Sequence, residues 1–371
     1  MIGIFIDITD HCNSKCPLCT RHKVSKFTNV VDLVPTTFVN RSSVSIETWK
    51  NWFTPKILEK ISFINFQGSF GEPSLCDDLL KIIKYSRSIN KNIDILMSTN
   101  GGTRDKNFWK SLGRLIFFST PNSRVIFSID GLEDTLSEYR VGVDYNKVIE
   151  NAKSFISGGG NAEWRMLVFK HNEHQIEKCR QLSKELGFKK FSHQTVNGFW
   201  DTSGSGNGSY SYMHKGKIKT LHEASDPKYT TNPGRSKQNS DIHCEFNHKI
   251  NSVGNLRIDS MGIVHACCYH QARLRYFYPD YYFNKNPDAK PVYDESIDNP
   301  NMGSGVKYLQ KIFYESIIPL IEDQGGLKSI NLNYFSLDEI INTPFFQHSL
   351  ISSWKNSTHM CRENCGVSRI K

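Results

Sequence analysis

Residues 2–19 read IGIFIDITDHCNSKCPLC, a short apolar run followed at once by three closely spaced cysteines. The apolar run at residues 3–8 is typical of a buried β-strand. Cys12, Cys16 and Cys19 then lie in one loop with C-x-x-x-C-x-x-C spacing. Thiolates are soft ligands that suit iron–sulfur clusters or zinc. The segment therefore predicts a first strand that ends in a metal-binding loop.

The spacing of the three cysteines leaves two kinds of metal site open. Structural zinc is held by four ligands in a closed tetrahedron, and His11 or His22 could supply the fourth ligand here. Three thiolates on a four-iron cluster would instead leave one iron without a protein ligand. A cofactor could bind at that iron.

After the cysteine loop, predicted strands and helices alternate as far as residue 196. We expect further strands at 61–66, 93–97, 124–129, 163–169 and 190–196, and helices at 46–60, 77–89, 106–112, 145–157 and 173–186. Six strands alternating with helices predict a parallel sheet with right-handed crossovers. Six are too few for a complete eight-stranded barrel, so we predict an α/β fold with a partial (β/α)6 TIM-like barrel. Active sites of such barrels lie at the carboxyl ends of the strands.

The chain has 371 residues, more than the ~250–300 at which one hydrophobic core stops growing. We expect a barrel at 1–198, a polar linker or substrate loop at 199–241 and a smaller domain at 242–371. The last region is predicted to hold strands at 254–258 and 262–266 and helices at 307–321 and 337–354. Its aromatic run, residues 276–283, could line a substrate groove or pack a local cluster.

Composition indicates the class of protein and its compartment. Charged residues make up 22% and hydrophobic residues 38% of the chain, as in soluble globular proteins. No segment approaches the ~20 apolar residues of a membrane helix, and the N-terminus lacks signal-peptide features. We therefore expect a cytoplasmic protein with no membrane partner. In that compartment structural disulfides are rare, so the ten cysteines indicate metal binding or catalysis.

The net charge of +9 is spread along the whole chain. We favour a solvated basic surface over attraction to a polyanion or an acidic peptide. The sequence contains no zinc-finger, helix-turn-helix or RNA-recognition signature, so a nucleic-acid partner is not expected.

Further short motifs follow the later strands in chain order. They are Gly71-Glu72-Pro73, Ser98-Thr99-Asn100-Gly101, Ser128-Ile129-Asp130-Gly131 and Tyr139-Arg140. Each could by itself be turn chemistry. Together with the cysteine loop they resemble the GGEP, (S/T)NG, SxDG and YR elements of the radical S-adenosylmethionine (SAM) superfamily. Phe70 stands where the first glycine of GGEP is common, which is a departure from the family pattern.

The resemblance implies that Cys12, Cys16 and Cys19 hold a 4Fe-4S cluster with one open iron site. It implies that SAM binds there and is cleaved after reduction by a donor such as flavodoxin or ferredoxin. The backbone of the Gly-Glu-Pro segment would hold the methionine amino group, and Arg140 the methionine carboxylate. The implied cofactor-binding residues are Leu18, Gly71, Glu72, Pro73, Ser98, Asn100, Ser128, Asp130 and Arg140.

A second set of cysteines occupies the C-terminal region. It consists of Cys244, Cys267, Cys361 and Cys365. The G-x-x-x-x-C spacing that ends at Cys267 and the closing C-x-x-x-C pair resemble the SPASM or Twitch extension, which implies an auxiliary 4Fe-4S cluster. Four cysteines suffice for one cluster, so the single-cluster Twitch form is favoured. A structural zinc bound by the same four cysteines stays open, and Cys268 could be a spare ligand, a buried apolar residue or a hydrogen-atom donor.

The resemblance implies an enzyme, a radical SAM oxidoreductase or transformase. We favour a peptide or protein substrate, modified by dehydrogenation, cross-linking or epimerisation. The alternatives are a carbohydrate, nucleotide or other small-molecule substrate, and a non-catalytic metal-binding interaction protein. The first strand begins at residue 2 or 3, so we expect no N-terminal leader-binding domain, which weakens the peptide interpretation without removing it. Cys268, Glu163 and His193 are candidate catalytic residues.

Overall fold

The structure is a computed structural model. It describes residues 2–24, 30–35, 39, 42–117, 120–196, 208–230, 241–242, 254–293, 305–353 and 366–367. No helix within these ranges is long and apolar enough to span a membrane.

The described residues form strands and helices with the following bounds. The strands are β1 (Ile2–Ile6), β2 (His22–Val24), β3 (Val31–Pro35), β4 (Ile61–Phe66), β5 (Asp94–Thr99), β6 (Arg124–Ser128), β7 (Ala162–Val168), β8 (Lys190–Thr195), β9 (Ser209–His214), β10 (Lys217–His222), β11 (Asp241–Ile242), β12 (Asn255–Ile258), β13 (Val264–His265) and β14 (Gly366–Val367). The helices are α1 (Ile46–Trp52), α2 (Pro55–Leu58), α3 (Leu79–Ile89), α4 (Lys106–Phe117), α5 (Leu136–Tyr139), α6 (Tyr145–Ser157), α7 (Ile176–Glu185), α8 (Cys268–Phe277), α9 (Pro279–Asn284), α10 (Gly305–Ser316), α11 (Ile318–Glu322), α12 (Leu337–Ile341) and α13 (Leu350–Ser353).

The main sheet has the strand order β13-β12-β1-β4-β5-β6-β7-β8. From β12 to β8 every neighbouring pair is parallel, and only the β12–β13 pair is antiparallel. The predicted α/β fold with six parallel strands is therefore confirmed. A strand from the C-terminal region, β12, extends this sheet beside β1. The domain bounds at 1–198, 199–241 and 242–371 stay a prediction.

One face of the main sheet packs against helices. Alternate strand residues such as Ile4, Ile64 and Met97 are fully buried there, because successive side chains of a strand point to opposite faces. Helices cover this face with large side chains, among them Trp49 and Trp109. The opposite alternate residues line the inner face of the partial barrel, which leads to the site described below.

A second sheet of four strands, in the order β10-β9-β3-β2, lies next to the cysteine loop. The sequence predicts no strands in 199–241, yet β9 and β10 form a hairpin there. Lys215 and Gly216 both have positive φ, as a two-residue hairpin turn requires. The hairpin is hard to detect because most of its residues are polar or exposed, and only Tyr210, Tyr212 and Leu221 bury large apolar surface.

The C-terminal region forms the predicted β12–β13 hairpin, but its predicted long helices are broken. The first becomes α10 and α11, with Pro319 in the first turn of α11. The second stops at Ile341 and resumes after Pro344. Proline removes a backbone donor and clashes with the preceding turn, so it starts a helix more easily than it continues one.

The aromatic run packs the core instead of lining a groove. Tyr278 and Tyr282 are fully buried and Tyr281 nearly so. Two further strands, β11 and β14, pair in antiparallel fashion, so that Ile242 lies opposite Gly366. The beginning of the C-terminal region and the end of the chain therefore meet.

Candidate active site

A cavity of about 400 Å³ opens where β1, β4, β5 and β6 end. Parallel strands bring their carboxyl ends to one edge of the sheet, so the loops that follow them converge there. The cavity is lined by Cys12, Ser14, Cys16, Leu18, Cys19, Thr20, Arg21, Gln67, Gly68, Ser69, Gly71, Glu72, Ser98, Thr99, Asn100, Ser128, Tyr139 and Arg140.

The cavity brings together most of the residues predicted from the sequence. All three loop cysteines line it, and so do Leu18, Gly71, Glu72, Ser98, Asn100, Ser128 and Arg140. Two predicted residues do not line it. Pro73 is buried at the start of a short 3₁₀ turn, and Asp130 lies fully buried behind Arg140.

Backbone hydrogen bonds fold the cysteine loop back on itself. The amide of Cys19 donates to the carbonyl of Cys16 over 3.0 Å, and the amide of His22 donates to the carbonyl of Cys19 over 3.2 Å. The His22 ring contacts the Cys16 carbonyl through Nδ1 at 3.0 Å. Burial lowers the pKa of His22 to about 4. His22 is thus bound to the loop backbone as a neutral ring.

Hydrogen-bond donors surround the cysteine sulfurs. Ser14 Oγ lies 2.9 Å from Cys16 Sγ, and Arg140 Nη1 donates to the same sulfur at 3.6 Å. Asn100 Nδ2 points at Cys12 Sγ from 4.0 Å. Such donors stabilise a thiolate more than a thiol, since the charged sulfur is the better acceptor.

Without metal, the thiols of Cys12 and Cys19 are held in their neutral form. Burial raises the pKa of Cys12 to about 12 and that of Cys19 to about 11. A coordinating metal displaces the proton, so binding turns buried thiols into thiolates. Arg140 is nearby to balance the added negative charge.

The positions of the three loop cysteines are compatible with a multi-iron cluster. Within the described ranges, no three Cys, His, Asp or Glu side chains converge as the ligands of a single metal ion would. A four-iron cluster takes each thiolate on a different iron, so its ligands need not meet at a point. Cys12, Cys16 and Cys19 line one cavity, and the residues therefore fit such a cluster.

The Glu72 side chain links two loops of the site through hydrogen bonds. Its carboxylate accepts hydrogen bonds from Ser74 Oγ at 2.7 Å, from Thr99 Oγ1 at 2.5 Å and from the Asn100 amide at 2.7 Å. Burial raises the pKa of Glu72, while these donors act in the opposite direction. The side chain therefore joins the loops after β4 and β5.

Gly71 allows the loop after β4 to pack on the cysteine loop. A Cβ at this position would lie 1.8 Å from the Thr9 carbonyl oxygen, which no side chain could tolerate. The next amide, that of Glu72, donates to the His11 carbonyl over 2.7 Å. The Gly-Glu-Pro segment and the start of the cysteine loop are thus in direct backbone contact.

Asp130 orients Arg140 towards the cavity. Arg140 Nε lies 2.6 Å from Asp130 Oδ2, and the other carboxylate oxygen accepts the Leu167 amide at 2.7 Å. Burial alone would lower the pKa of Arg140, but the charges of Asp130 and Cys16 outweigh it and raise that pKa. Arg140 therefore remains a cation beside the cysteine loop.

Comparison with known proteins agrees with this geometry. The sequence model of the radical SAM superfamily matches residues 6–182. This segment is a radical SAM domain. Members of that superfamily are enzymes, and the family implies a 4Fe-4S cluster and SAM. No curated protein sequence matches the chain.

Solved structures share the fold at low sequence identity. The structure of anSMEcpe with bound AdoMet is 15% identical, with a TM-score of 0.50, and the match covers 96% of this chain and 81% of that one. The structure of anSMEcpe with AdoMet and the Cp18Cys peptide is 14% identical, with a TM-score of 0.50 and coverage of 96% and 84%.

A third similar structure is Streptococcus suis SuiB bound to its precursor peptide SuiA. It is 16% identical, with a TM-score of 0.48, and the match covers 74% of this chain and 60% of that chain. The chain thus covers less than two thirds of the length of SuiB.

Several residues of the radical SAM domain line the cavity without having been predicted from the sequence. Gln67, Gly68 and Ser69 follow β4 directly, and Ser14 and Arg21 belong to the cysteine loop. Their position at the carboxyl end of a barrel strand was the available signal. Tyr139, which precedes Arg140, also lines the cavity.

The catalytic candidate Glu163 lies away from the cavity. It sits near the beginning of β7, at the opposite end of the strand from the site. Its buried carboxylate accepts a hydrogen bond from Ser192 at 2.8 Å and pairs with Arg165 at 3.2 Å. Glu163 is therefore an ion-pairing residue of the barrel interior, which corrects the sequence-based expectation.

The catalytic candidate His193 points away from the barrel interior. Its neighbour Ser192 contacts Glu163 inside the barrel, and successive strand residues face opposite sides. The His193 ring packs edge-on against Tyr229, with centroids 5.2 Å apart. This expectation is corrected as well.

The second cysteine set is described in part. Cys267 is buried and precedes the first turn of α8. Cys244, Cys361 and Cys365 lie outside the described residues, as does the side chain of Cys268.

Replacing Glu72 by Gln tests its role in linking the two loops. The amide nitrogen of Gln would face donors that now bond to a carboxylate, so we expect the free energy of unfolding to fall by roughly 1–3 kcal/mol. Urea unfolding of the metal-free protein measures this. Glu138→Gln is the matched control, since Glu138 is half-exposed and its change should stay within about 0.5 kcal/mol. Equal stability of the Glu72→Gln and wild-type proteins would contradict the assignment.

Proposed function

We propose that this chain is a radical SAM enzyme that cleaves SAM reductively and abstracts a hydrogen atom from a peptide or protein substrate. The observation that carries the proposal is the single cavity shared by Cys12, Cys16 and Cys19 and by the loops after β4, β5 and β6. A metal-binding loop alone would need no such cavity. A cluster that hands an electron to a bound cofactor does.

In this proposal the three loop cysteines hold a 4Fe-4S cluster whose fourth iron faces the cavity. When bound and reduced, that cluster supplies the electron that splits SAM into methionine and a 5′-deoxyadenosyl radical. The protein binds and orients SAM and the substrate, and it keeps competing hydrogen-atom donors away from the radical.

The residues divide this work among them. In this proposal the backbone around Gly71 holds the methionine amino group, while the Glu72 side chain binds Thr99 and Asn100. Arg140 is a partly buried cation that can pair with the methionine carboxylate. Leu18 offers apolar surface for the adenine. Ser98, Asn100 and Ser128 supply polar groups along the rest of the cavity wall.

The peptide or protein substrate is proposed on the likeness to anSMEcpe. That protein shares the fold over 96% of this chain, and one of its structures holds AdoMet together with a peptide. The proposed reaction is removal of one hydrogen atom from the substrate, which converts the 5′-deoxyadenosyl radical to 5′-deoxyadenosine. In dehydrogenation or cross-linking the substrate radical then loses one electron to an oxidised iron–sulfur cluster and one proton to solvent. In epimerisation it takes one hydrogen atom from a thiol.

We further propose an auxiliary 4Fe-4S cluster of the Twitch type, bound by Cys244, Cys267, Cys361 and Cys365. Pairing of β11 with β14 supports this proposal. Cys244 follows β11 by two residues and Cys365 directly precedes β14 in the sequence. The pairing brings the described residues nearest to them, Ile242 and Gly366, opposite one another.

Cleavage of SAM by the reconstituted protein tests the enzyme proposal. After anaerobic reconstitution and reduction with dithionite, the wild-type protein should form 5′-deoxyadenosine, measured by chromatography. Cys16→Ala should abolish it, because two thiolates are too few to anchor the cluster. Cys179→Ala is the control, since Cys179 is a buried cysteine on α7. Retained cleavage in Cys16→Ala would refute the ligand assignment, and no cleavage by the wild-type protein would leave a non-catalytic metal-binding protein.

Iron analysis tests the auxiliary cluster. Two four-iron clusters predict about eight irons per chain, and Cys267→Ala should lower the content towards four. Iron and acid-labile sulfide are measured together with zinc. A wild-type value near four irons accompanied by bound zinc would show the zinc alternative to be correct at the second site.

Isotope transfer tests the substrate class. A peptide substrate deuterated at its side-chain and α carbons should pass deuterium into 5′-deoxyadenosine, because the radical takes its hydrogen from the substrate. Mass spectrometry measures the transfer, with Cys16→Ala protein as the blank. Transfer from a carbohydrate or nucleotide instead of the peptide would establish the small-molecule alternative.

A further inference from the structure

Side chains of helix α8 are hydrogen-bonded to the segment that leads from β1 to the cysteine loop. Gln271 and Arg275 are four residues apart on α8, so they share one face of the helix. Gln271 Nε2 donates to Asp7 Oδ2 at 2.6 Å. Arg275 binds Asp10 through two hydrogen bonds, of 2.7 and 3.1 Å. The helix therefore holds this segment at two points just before Cys12.

The pair of Arg275 and Asp10 is fully buried. The Arg275 guanidinium also lies between two aromatic rings, 4.4 Å from the centroid of Phe70 and 5.0 Å from that of Tyr282. Burial alone would lower the pKa of Arg275, but the charges of Asp10 and Asp259 outweigh it and raise that pKa. A buried, charged and stacked arginine has one favourable geometry, so it fixes the position of its partner.

This contact also explains the departure from the family pattern at Phe70. Phe70 directly precedes the Gly-Glu-Pro segment and is 2% exposed. Its ring supports Arg275, whereas a glycine would offer no surface there.

The same helix face reaches the cavity wall. The Asp7 carboxylate accepts the Ser69 amide at 2.9 Å, and Ser69 lines the cavity. Arg257 of β12 hydrogen-bonds both to Ser69 Oγ and to Gln271. Side chains of the C-terminal region thus hold the loops after β1 and β4 together.

Helix α8 starts directly after Cys267, one cysteine of the second set. Cys267 precedes its first turn, and Arg275 follows eight residues later, about 12 Å along a helix that rises 1.5 Å per residue. Asp259 provides a second connection between this region and Arg275. Its Oδ2 lies 3.8 Å from Arg275 Nη2 and 3.1 Å from His265 Nε2. One rigid element therefore joins a proposed auxiliary ligand to the segment before Cys12.

We propose that Gln271 and Arg275 are positioning residues through which the C-terminal region sets the placement of the Cys12–Cys19 loop and thereby the fit of SAM in the cavity. This inference rests on the proposed function. Groups that orient a metal ligand from behind change affinity or activity by about 10–100-fold when they are lost. The three thiolates themselves remain, so the cluster should still assemble.

The test uses Arg275→Met in the full chain. In metal-free protein, hydrogen exchange followed by mass spectrometry should become faster over residues 7–22 than in wild type. After reconstitution the iron content should stay the same, while the Kd for SAM rises about tenfold or more. In the cleavage reaction KM for SAM should rise more than kcat falls.

Three further variants make the result specific. Arg275→Lys keeps the charge without the planar fork and should fall between wild type and Arg275→Met. The double variant Asp10→Asn/Arg275→Met removes both charges of the buried pair and leaves neither partner as an unpaired charge. If Arg275→Met alone does not fold, the same measurements are made on this double variant. Arg165→Met is the matched control, because Arg165 also pairs with a buried carboxylate but lies outside the cavity lining.

The outcomes separate this inference from the proposed function. Failure of the wild-type protein to bind iron and cleave SAM would overturn both. Wild-type cleavage together with unchanged exchange and Kd in folded Arg275→Met would overturn the inference alone. Loss of iron and stability in Arg275→Met, with an unchanged KM in the remaining active protein, would show a merely structural role and overturn it as well.

Discussion

β1 is hydrogen-bonded in parallel on both sides, to β4 and to β12. All three strands therefore end at the same edge, and the segments after them must share the space there. The cysteine loop follows β1 and the Gly-Glu-Pro segment follows β4. After β12 the chain turns back through the antiparallel strand β13, and α8 then returns to this edge, where Arg275 binds Asp10. The cavity and its supports result from this one constraint. A β1 that ran in the opposite direction would put the cysteines at the other end of the sheet.

Buried and partly buried charged side chains link the converging loops to one another. Glu72 joins the loops after β4 and β5, Asp130 and Arg140 join the loop after β6 to the cysteine loop, and Arg275 joins α8 to Asp10. A buried charge that loses its partner is strongly destabilising, so each pair favours one arrangement of two loops. The site is thus held by polar contacts, whereas the opposite face of the sheet is held by apolar packing. The charged residues that line the cavity are Arg21, Arg140 and Glu72.

The sequence predicted the parallel strands and the location of the site because both depend on local patterns. Apolar runs of strand length alternate with amphipathic helices, and the motifs fall at the strand ends. Glu163 and His193 were misplaced for different reasons. Glu163 is the first residue of the predicted strand at 163–169, which already put it at the end away from the site. The face on which His193 lies depends on the register of β8 with β7. The β9–β10 hairpin was missed because too few of its residues are apolar to show the alternation.

By itself, the amino-acid sequence determined the order of the six barrel strands along the chain, the cysteine loop after the first of them and the turn motifs after the next three. Only the tertiary structure decided that β12 joins β1, that Glu72 turns its carboxylate to Thr99 and Asn100, and that Arg275 reaches Asp10. The last contact spans 265 residues of sequence, and no local pattern specifies such a partner. Its geometry arises only when the sheet has formed and the buried charges must find one another.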